Sequence, residues 1–278
     1  MKKAAAAALA VLLLLTAGCG ITEKSSVDVP VLMYHSVGYE ENNSYVVTPE
    51  QFRRQMELLK ENGYTAIDFS QLVDFVENGT ALPEKPIVIT LDDGYEDNYL
   101  NAYPVLKELG MKATVNAVGV HIGKDTYRDT DIAIRSHFSA EQGKEMIASG
   151  LIDIQMHSYD LHRVELDEDY RFGAGQLEGE SDGEYRELFS QDTLKCMEVL
   201  KESFGTEPFV YAYPQGEYNE LSEAVLRELG IKVSLTVTGG VNKVTQGDED
   251  SLMAMYRIDV YSTMDDDVFL SSVSQDGM

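Results

Sequence analysis

Asp92 and Asp93 stand side by side between Leu91 and Gly94, and His157 and His162 lie five residues apart further along the chain. Carboxylates and imidazoles are the side chains that move protons and hold cations near neutral pH. Two imidazoles and one carboxylate leave positions open on a metal ion. Catalytic zinc sites need that, and non-haem iron(II) oxygenases use the same ligand set. Ligand types alone do not choose between them. His35 and the run Tyr213-Pro214-Gln215-Gly216 complete the group of residues placed to do chemistry.

Each of these residues follows an apolar run. Ile87 to Leu91 is β-branched and apolar, opened by Pro86, and reads as a strand buried on both faces. Asp92 and Asp93 end it, and Gly94 lets the chain turn away. Val29 to Tyr34 is a strand ending in His35. Leu151 to Met156 is one ending in His157, and Pro208 to Tyr213 is one ending at Pro214. Lys112 to Val118, Ile231 to Val237, Met255 to Val260 and the short Ala66-Ile67 read as further strands. Helical patterns alternate with them. Thr48, Ser70, Asp97, Ser139, Ser181 and Asn219 are the expected N-caps, with capping boxes expected at Thr48–Gln51 and Ser181–Glu184. His121 to His137 has no period and reads as a loop, its two histidines surface or structural. Alternation of strand and helix implies a parallel sheet, and the carboxyl ends of such strands are where ligands gather.

The chain begins with Lys2-Lys3, an apolar run from Ala4 to Leu15, and Thr16-Ala17-Gly18-Cys19. A charged start, a short apolar core and small residues describe a secretory leader, too short to span a bilayer. Its ending resembles a bacterial lipobox, which makes Cys19 the lipid-attachment residue. The expected organisation is a leader over 1–18, a lipid-anchored linker over 19–28, and one catalytic domain over 29–278. The net charge is -26, and removing the leader takes away two lysines and no acid. So acidic a surface is repelled by nucleic acid and anionic lipid, which excludes nucleic acid as a partner and leaves the anchor to hold the protein at a membrane. Cys196, the other cysteine, lies in an apolar helical pattern and reads as core. No protein partner is expected.

Thr90-Leu91-Asp92-Asp93-Gly94, His157-Ser158 to His162, Leu32-Met33-Tyr34-His35-Ser36, Tyr211 to Gly216 and Arg257-Ile258-Asp259-Val260 occur in the order of the motifs of the polysaccharide deacetylases, carbohydrate esterase family 4. The resemblance runs from about Val29 to Val260, and the five-residue histidine spacing resembles the branch that deacetylates biofilm poly-N-acetylglucosamine. It implies an α/β fold, a distorted (β/α) barrel of about seven parallel strands of NodB type. It implies Asp92 as general base and Asp93, His157 and His162 as ligands of one divalent ion, zinc foremost, with cobalt, nickel, manganese or iron as alternatives. It also implies an oxyanion donor in the N–H of Gln215. Tyr213 and Tyr218 are candidates for stacking on sugar rings or for core packing.

The chain departs from the usual family pattern at three points. Ala212 stands where an arginine usually holds the base, no histidine follows His162, and there is no tryptophan. In the biofilm branch an early histidine is the proposed acid, which makes His35 the candidate. The expectation is a metal-dependent N-deacetylase of an N-acetylhexosamine polymer (poly-N-acetylglucosamine, peptidoglycan or a related glycan) that releases acetate. The alternative, prompted by the absent arginine and late histidine, is a non-catalytic glycan-binding lipoprotein on the same fold.

Overall fold

The computed structural model describes residues 24–162 and 171–274. The leader and Cys19 lie outside the described residues. The elements in chain order are β1 (Ser26–Tyr34), β2 (Ser36–Val37), β3 (Val46–Val47), α1 (Pro49–Glu61), β4 (Thr65–Ile67), α2 (Phe69–Asn78), β5 (Pro86–Asp93), α3 (Tyr103–Leu109), β6 (Ala113–Ala117), α4 (Ala140–Ala148), β7 (Ile152–Met156), α5 (Asp182–Phe204), β8 (Val210–Ala212), α6 (Glu220–Glu228), β9 (Val233–Leu235), β10 (Val241–Thr245), β11 (Ile258–Asp259) and α7 (Asp266–Val273).

One sheet organises them, in the order β10-β1-β5-β6-β7-β8-β9. Every pairing in it is parallel except that of β10, which runs antiparallel to the first half of β1. β5 is the centre. Val88 pairs both Val31 of β1 and Ile67 of β4, so those strands lie on opposite edges, and residues 90–93 pair with β6. The sheet curls, and residues 255–260 form its seam. Met255 exchanges backbone hydrogen bonds with Ser234 and Thr236 at the β9 side, while β11 lies parallel to Leu32–Met33 of β1.

All eight residues of β5 are buried, as its apolar run requires. Alternation divides them. Ile87, Ile89 and Leu91 face the main core, with residues of α1, α3 and α5. Val88 faces a second core with Val31, Val210, Val233 and Leu235, and α2 packs there. Asp92 shares the parity of Val88 and Thr90, so it ends the row of inward-facing residues.

The expected barrel pattern is present, with several local differences. β1 starts at Ser26, inside the expected linker, because Ser26 to Pro30 find partners in β10. α2 is capped by Asp68, not Ser70, with a complete capping box to Gln71. Thr48 caps α1, but the Gln51 amide turns away to donate to the carbonyls of Tyr261 and Met264 instead of closing a box. Asp97 makes no cap bond. Its carboxylate accepts from Ser36 Oγ and Val37 N, and a π-helical turn over Asn98–Ala102 precedes α3. β10 and α7 were not anticipated. The capping boxes at Ser139 and Ser181 are formed.

Candidate active site

Residues at or just past the ends of β1, β5, β7 and β8, with those of β11, line one cleft of about 420 Å3, which includes His35, Asp92, Asp93, His157, His162, Gln215, Arg257 and Asp259. Six of these, all but Arg257 and Asp259, were named from the sequence as site residues, and the curled sheet brings them together. At Asp93 the chain enters the left-handed region (φ 72°), followed by Gly94 (φ 78°). A side chain on Gly94 would meet Ala117 and Phe138 at 3.2 Å. That forced turn lets two successive carboxylates share one cleft. Ser158 (φ 76°) and Gln215 (φ 59°) are held in the same region, so strain is concentrated at the rim of the site.

Asp93, His157 and His162 each offer one ligand atom, and these atoms lie within 4.8 Å of one another. Asp93 Oδ1 is 3.5 Å from His157 Nε2 and 3.4 Å from His162 Nε2. The His157 ring is oriented from behind, because its Nδ1 donates to the Ala212 carbonyl at 2.8 Å. A carbonyl only accepts, so Nδ1 carries the proton and Nε2 presents its lone pair to the cluster. Burial pushes the His157 imidazole down to about 4, against the pull of Asp92 and Asp93, and keeps it neutral. The loop carrying His162 is clamped by Asp192 of α5, which accepts from the N–H groups of Tyr159 and Asp160. Asp93 Oδ1 is buried and makes no hydrogen bond. An unclaimed carboxylate oxygen facing the ring nitrogens of two imidazoles fits a divalent cation, and the ligand set leaves positions open for water and substrate.

Asp92 is held differently. Arg257 grips it with Nη1 to Oδ1 at 2.8 Å and Nη2 to Oδ2 at 2.8 Å, and Asn116 donates to Oδ1 at 2.8 Å. Arg257 is itself completely buried and bonds the Thr236 carbonyl and Thr90 Oγ1. Burial alone would raise the Asp92 carboxyl. Arg257, with His157 and His35 nearby, outweighs it and holds the group well below the usual carboxylate range. Asp92 is therefore ionised throughout the working range. The arginine missing at Ala212 is supplied by Arg257, from the seam. Arg257 lies in the closing motif, where nothing local in the sequence marks it as the partner of Asp92.

His35 lines the cleft, with its carbonyl accepting from Asn98 at 2.8 Å and its ring edge-to-face with Tyr45. Its Nδ1 is buried without a partner, and so is Oδ1 of Asp259. Burial raises the Asp259 carboxyl, with His35 the first of the charges opposing that. Asp259 stands in the closing motif, where nothing local in the sequence marks its role in the site. Tyr213 has the core role of its two candidate roles. It is fully buried, stacks on Tyr218 with centroids 5.1 Å apart, and donates to Glu223 at 2.9 Å, so no ring face is left for a sugar. Gln215 stands at the cleft wall. His121 and His137 are not on the surface. Both are buried, their rings 4.9 Å apart, with Tyr95 5.2 Å from His137. The irregular segment between them offers no periodicity from which burial could be read.

Residues 79–234 match the polysaccharide deacetylase family. The chain belongs to that family. It is 31% identical over 248 residues to YxkH of Bacillus subtilis (strain 168), a protein assigned to the polysaccharide deacetylases, covering 89% of this chain and 76% of that one. It is 27% identical over 219 residues to the poly-beta-1,6-N-acetyl-D-glucosamine N-deacetylase of Escherichia coli (strain K12), covering 73% of this chain but 32% of that enzyme's length. Among solved structures, IcaB from Ammonifex degensii superposes with a TM-score of 0.71 at 26% identity, covering 88% of this chain and 95% of IcaB. The family is one of hydrolases that use a divalent metal, and the buried Asp93, His157 and His162 form a group able to bind one.

Proposed function

We propose that the protein is a metal-dependent N-deacetylase of a poly-N-acetylglucosamine-type glycan. The observation that carries this is the pairing of two differently prepared carboxylates: Asp93, whose Oδ1 is unclaimed and faces two imidazoles, and Asp92, ionised and locked by Arg257. Mere glycan binding needs no such base, and the argument for a non-catalytic protein from an absent arginine falls away with Arg257. Zinc fits the His2Asp donor set best.

A divalent ion held by Asp93, His157 and His162 would polarise the acetyl carbonyl and lower the pKa of water beside it. Asp92 accepts the proton of the attacking water, and Arg257 and Asn116 fix its two oxygens so that it cannot rotate into the ligand set. Water oxygen adds to the acetyl carbon and the carbon–nitrogen bond breaks. His35 gives the departing amine its proton, Asp259 stabilises the charged imidazole, and the N–H of Gln215 faces the developing oxyanion. The products are acetate and a glucosamine unit in the polymer.

Acetate release from poly-N-acetylglucosamine, chitin oligomers, peptidoglycan and acetylxylan, each with and without chelator, tests this. Release from the first, abolished by chelator and restored by zinc, is expected; chelator-insensitive release or none from any N-acetyl glycan would overturn it.

The protein is further proposed to sit outside the cell membrane, attached through acyl chains on Cys19. No helix among the described residues is long and apolar enough to cross a membrane. Cys19→Ala should move the protein from the membrane pellet to the soluble fraction, and retention in the pellet would contradict the anchor.

A further inference from the structure

The lining of the cleft is mostly polar, yet a glycan unit carries apolar C–H faces that need a partner. Among the described residues of the lining, two large apolar side chains are exposed, Tyr45 and Val237. Tyr45 is 49% exposed and its ring centroid lies 5.2 Å from that of His35, the planes at 68°. In an edge-to-face contact, whichever ring supplies the edge, at least one face of Tyr45 stays uncovered by His35.

The loop that carries Tyr45 is tied down across the cleft. Tyr45 N donates to Asn43 Oδ1 at 3.1 Å, and Asn43 Nδ2 donates to Glu40 at 3.2 Å. Glu40 is gripped by Arg135, which also reaches Asp97 at 3.4 Å and lies over the Tyr95 ring at 5.2 Å. Ser44 accepts from the N–H of Ser262, just past the seam. An exposed ring on an untethered loop would lose its orientation. Here the loop is bonded to two other segments of the rim, so the ring is held in place before any ligand arrives.

We propose that Tyr45 is the substrate-positioning platform of the cleft: its free face stacks on the C–H face of the pyranose whose acetamido group is presented to Asp92, with the Arg135–Glu40 pair as the clasp that holds it there. This rests on the deacetylase reading and deepens it. It assigns the substrate class as a glycan with an uncovered pyranose face beside the acetamide, rather than any small acetylated molecule. It also explains how a chain without tryptophan binds sugar.

The test compares zinc-loaded wild type, Tyr45→Phe and Tyr45→Ala on a poly-N-acetylglucosamine pentamer. Tyr45→Ala should raise KM about ten-fold, with kcat changed less than two-fold, and Tyr45→Phe should behave as wild type. Direct titration of the pentamer into Asp92→Asn and Asp92→Asn/Tyr45→Ala removes turnover from the question, and the second should bind correspondingly weaker. Arg135→Ala provides a second approach to the same ring and should raise KM without moving the pH profile. Equal binding by the two titrated proteins, or a Tyr45→Ala loss confined to kcat with a shifted alkaline limb, would overturn the platform; the latter would mean Tyr45 acts through His35. Absence of acetate release by wild type while the binding difference persists would instead count against the deacetylase reading alone.

Discussion

Arg257 and Asp92 face each other as fork and carboxylate, two hydrogen bonds of 2.8 Å joining side chains that are each about 1% exposed. They come from positions 165 residues apart in the chain. Burial makes the pair interdependent: neither charge has water to fall back on.

Arg257→Ala should therefore lower stability by about 3–5 kcal/mol by leaving Asp92 buried and uncompensated, and should reduce kcat with it. Arg257→Lys keeps a charge but loses the fork, and should recover stability more than activity. Urea midpoints and kcat for the two variants check this. Wild-type kcat in Arg257→Lys would show that orientation of Asp92 is unimportant.

Asp93, His157 and His162 should be separable from Asp92 by metal content. Ala at any of the three should lower bound zinc and activity together. Asp92→Asn should keep the metal while turnover falls by roughly 10²–10⁴. Metal analysis of purified variants beside acetate assays checks both halves. Full zinc occupancy in the triple variant would remove the ligand assignment.

His35→Ala should retain metal and lose mainly kcat, and the alkaline limb of the pH–rate profile should disappear, because the acid must be protonated to act. The loss in His35→Ala should shrink on an acetyl ester, whose leaving group needs the proton less. An intact alkaline limb in His35→Ala would rule that histidine out as the donor.

Acid should destabilise the metal-free protein well before carboxylates titrate. His121 is pushed from 6.5 down to about 3, first by burial and then by His137, His162 and Lys124, with Asp93 opposing. His157 is pushed down to about 4, and burial lowers His137 too. Below pH 6.5 the unfolded chain takes up protons that the folded chain refuses, so stability falls as pH drops, by up to about 1.4 kcal/mol per unit for each such histidine. Asp92 and Asp93, both held low, add a further loss below about pH 4. Urea unfolding at pH 7, 6 and 5 should show a falling midpoint, with a shallower slope in His121→Gln. Parallel slopes would mean His121 is not protonated preferentially on unfolding.

The elements that place Asp93, His157 and His162 were legible because each is a local signal: an apolar run, then polar residues at or just past its end. His35, Asp92, Asp93, His157 and His162 all follow that rule. Arg257 does not, since its partner lies across the seam and no local pattern reports a contact over such a separation. Ala212 occupies the place of the family's usual arginine, and its carbonyl has a different task, orienting His157. Asp97 had the right type and place for a cap, but Ser36 and Val37 compete for its carboxylate. α7 carried a readable signal in Asp265, which accepts from Val268 N, just ahead of the acidic first turn.

The seam at residues 255–260 follows every other member of the site in chain order, and it brings both Arg257 and Asp259. A chain made from its N-terminus onward thus carries the residues able to hold a metal before it acquires the cation that keeps Asp92 ionised. A chain cut short of the seam would keep Asp93, His157 and His162 but hold Asp92 without its counter-charge.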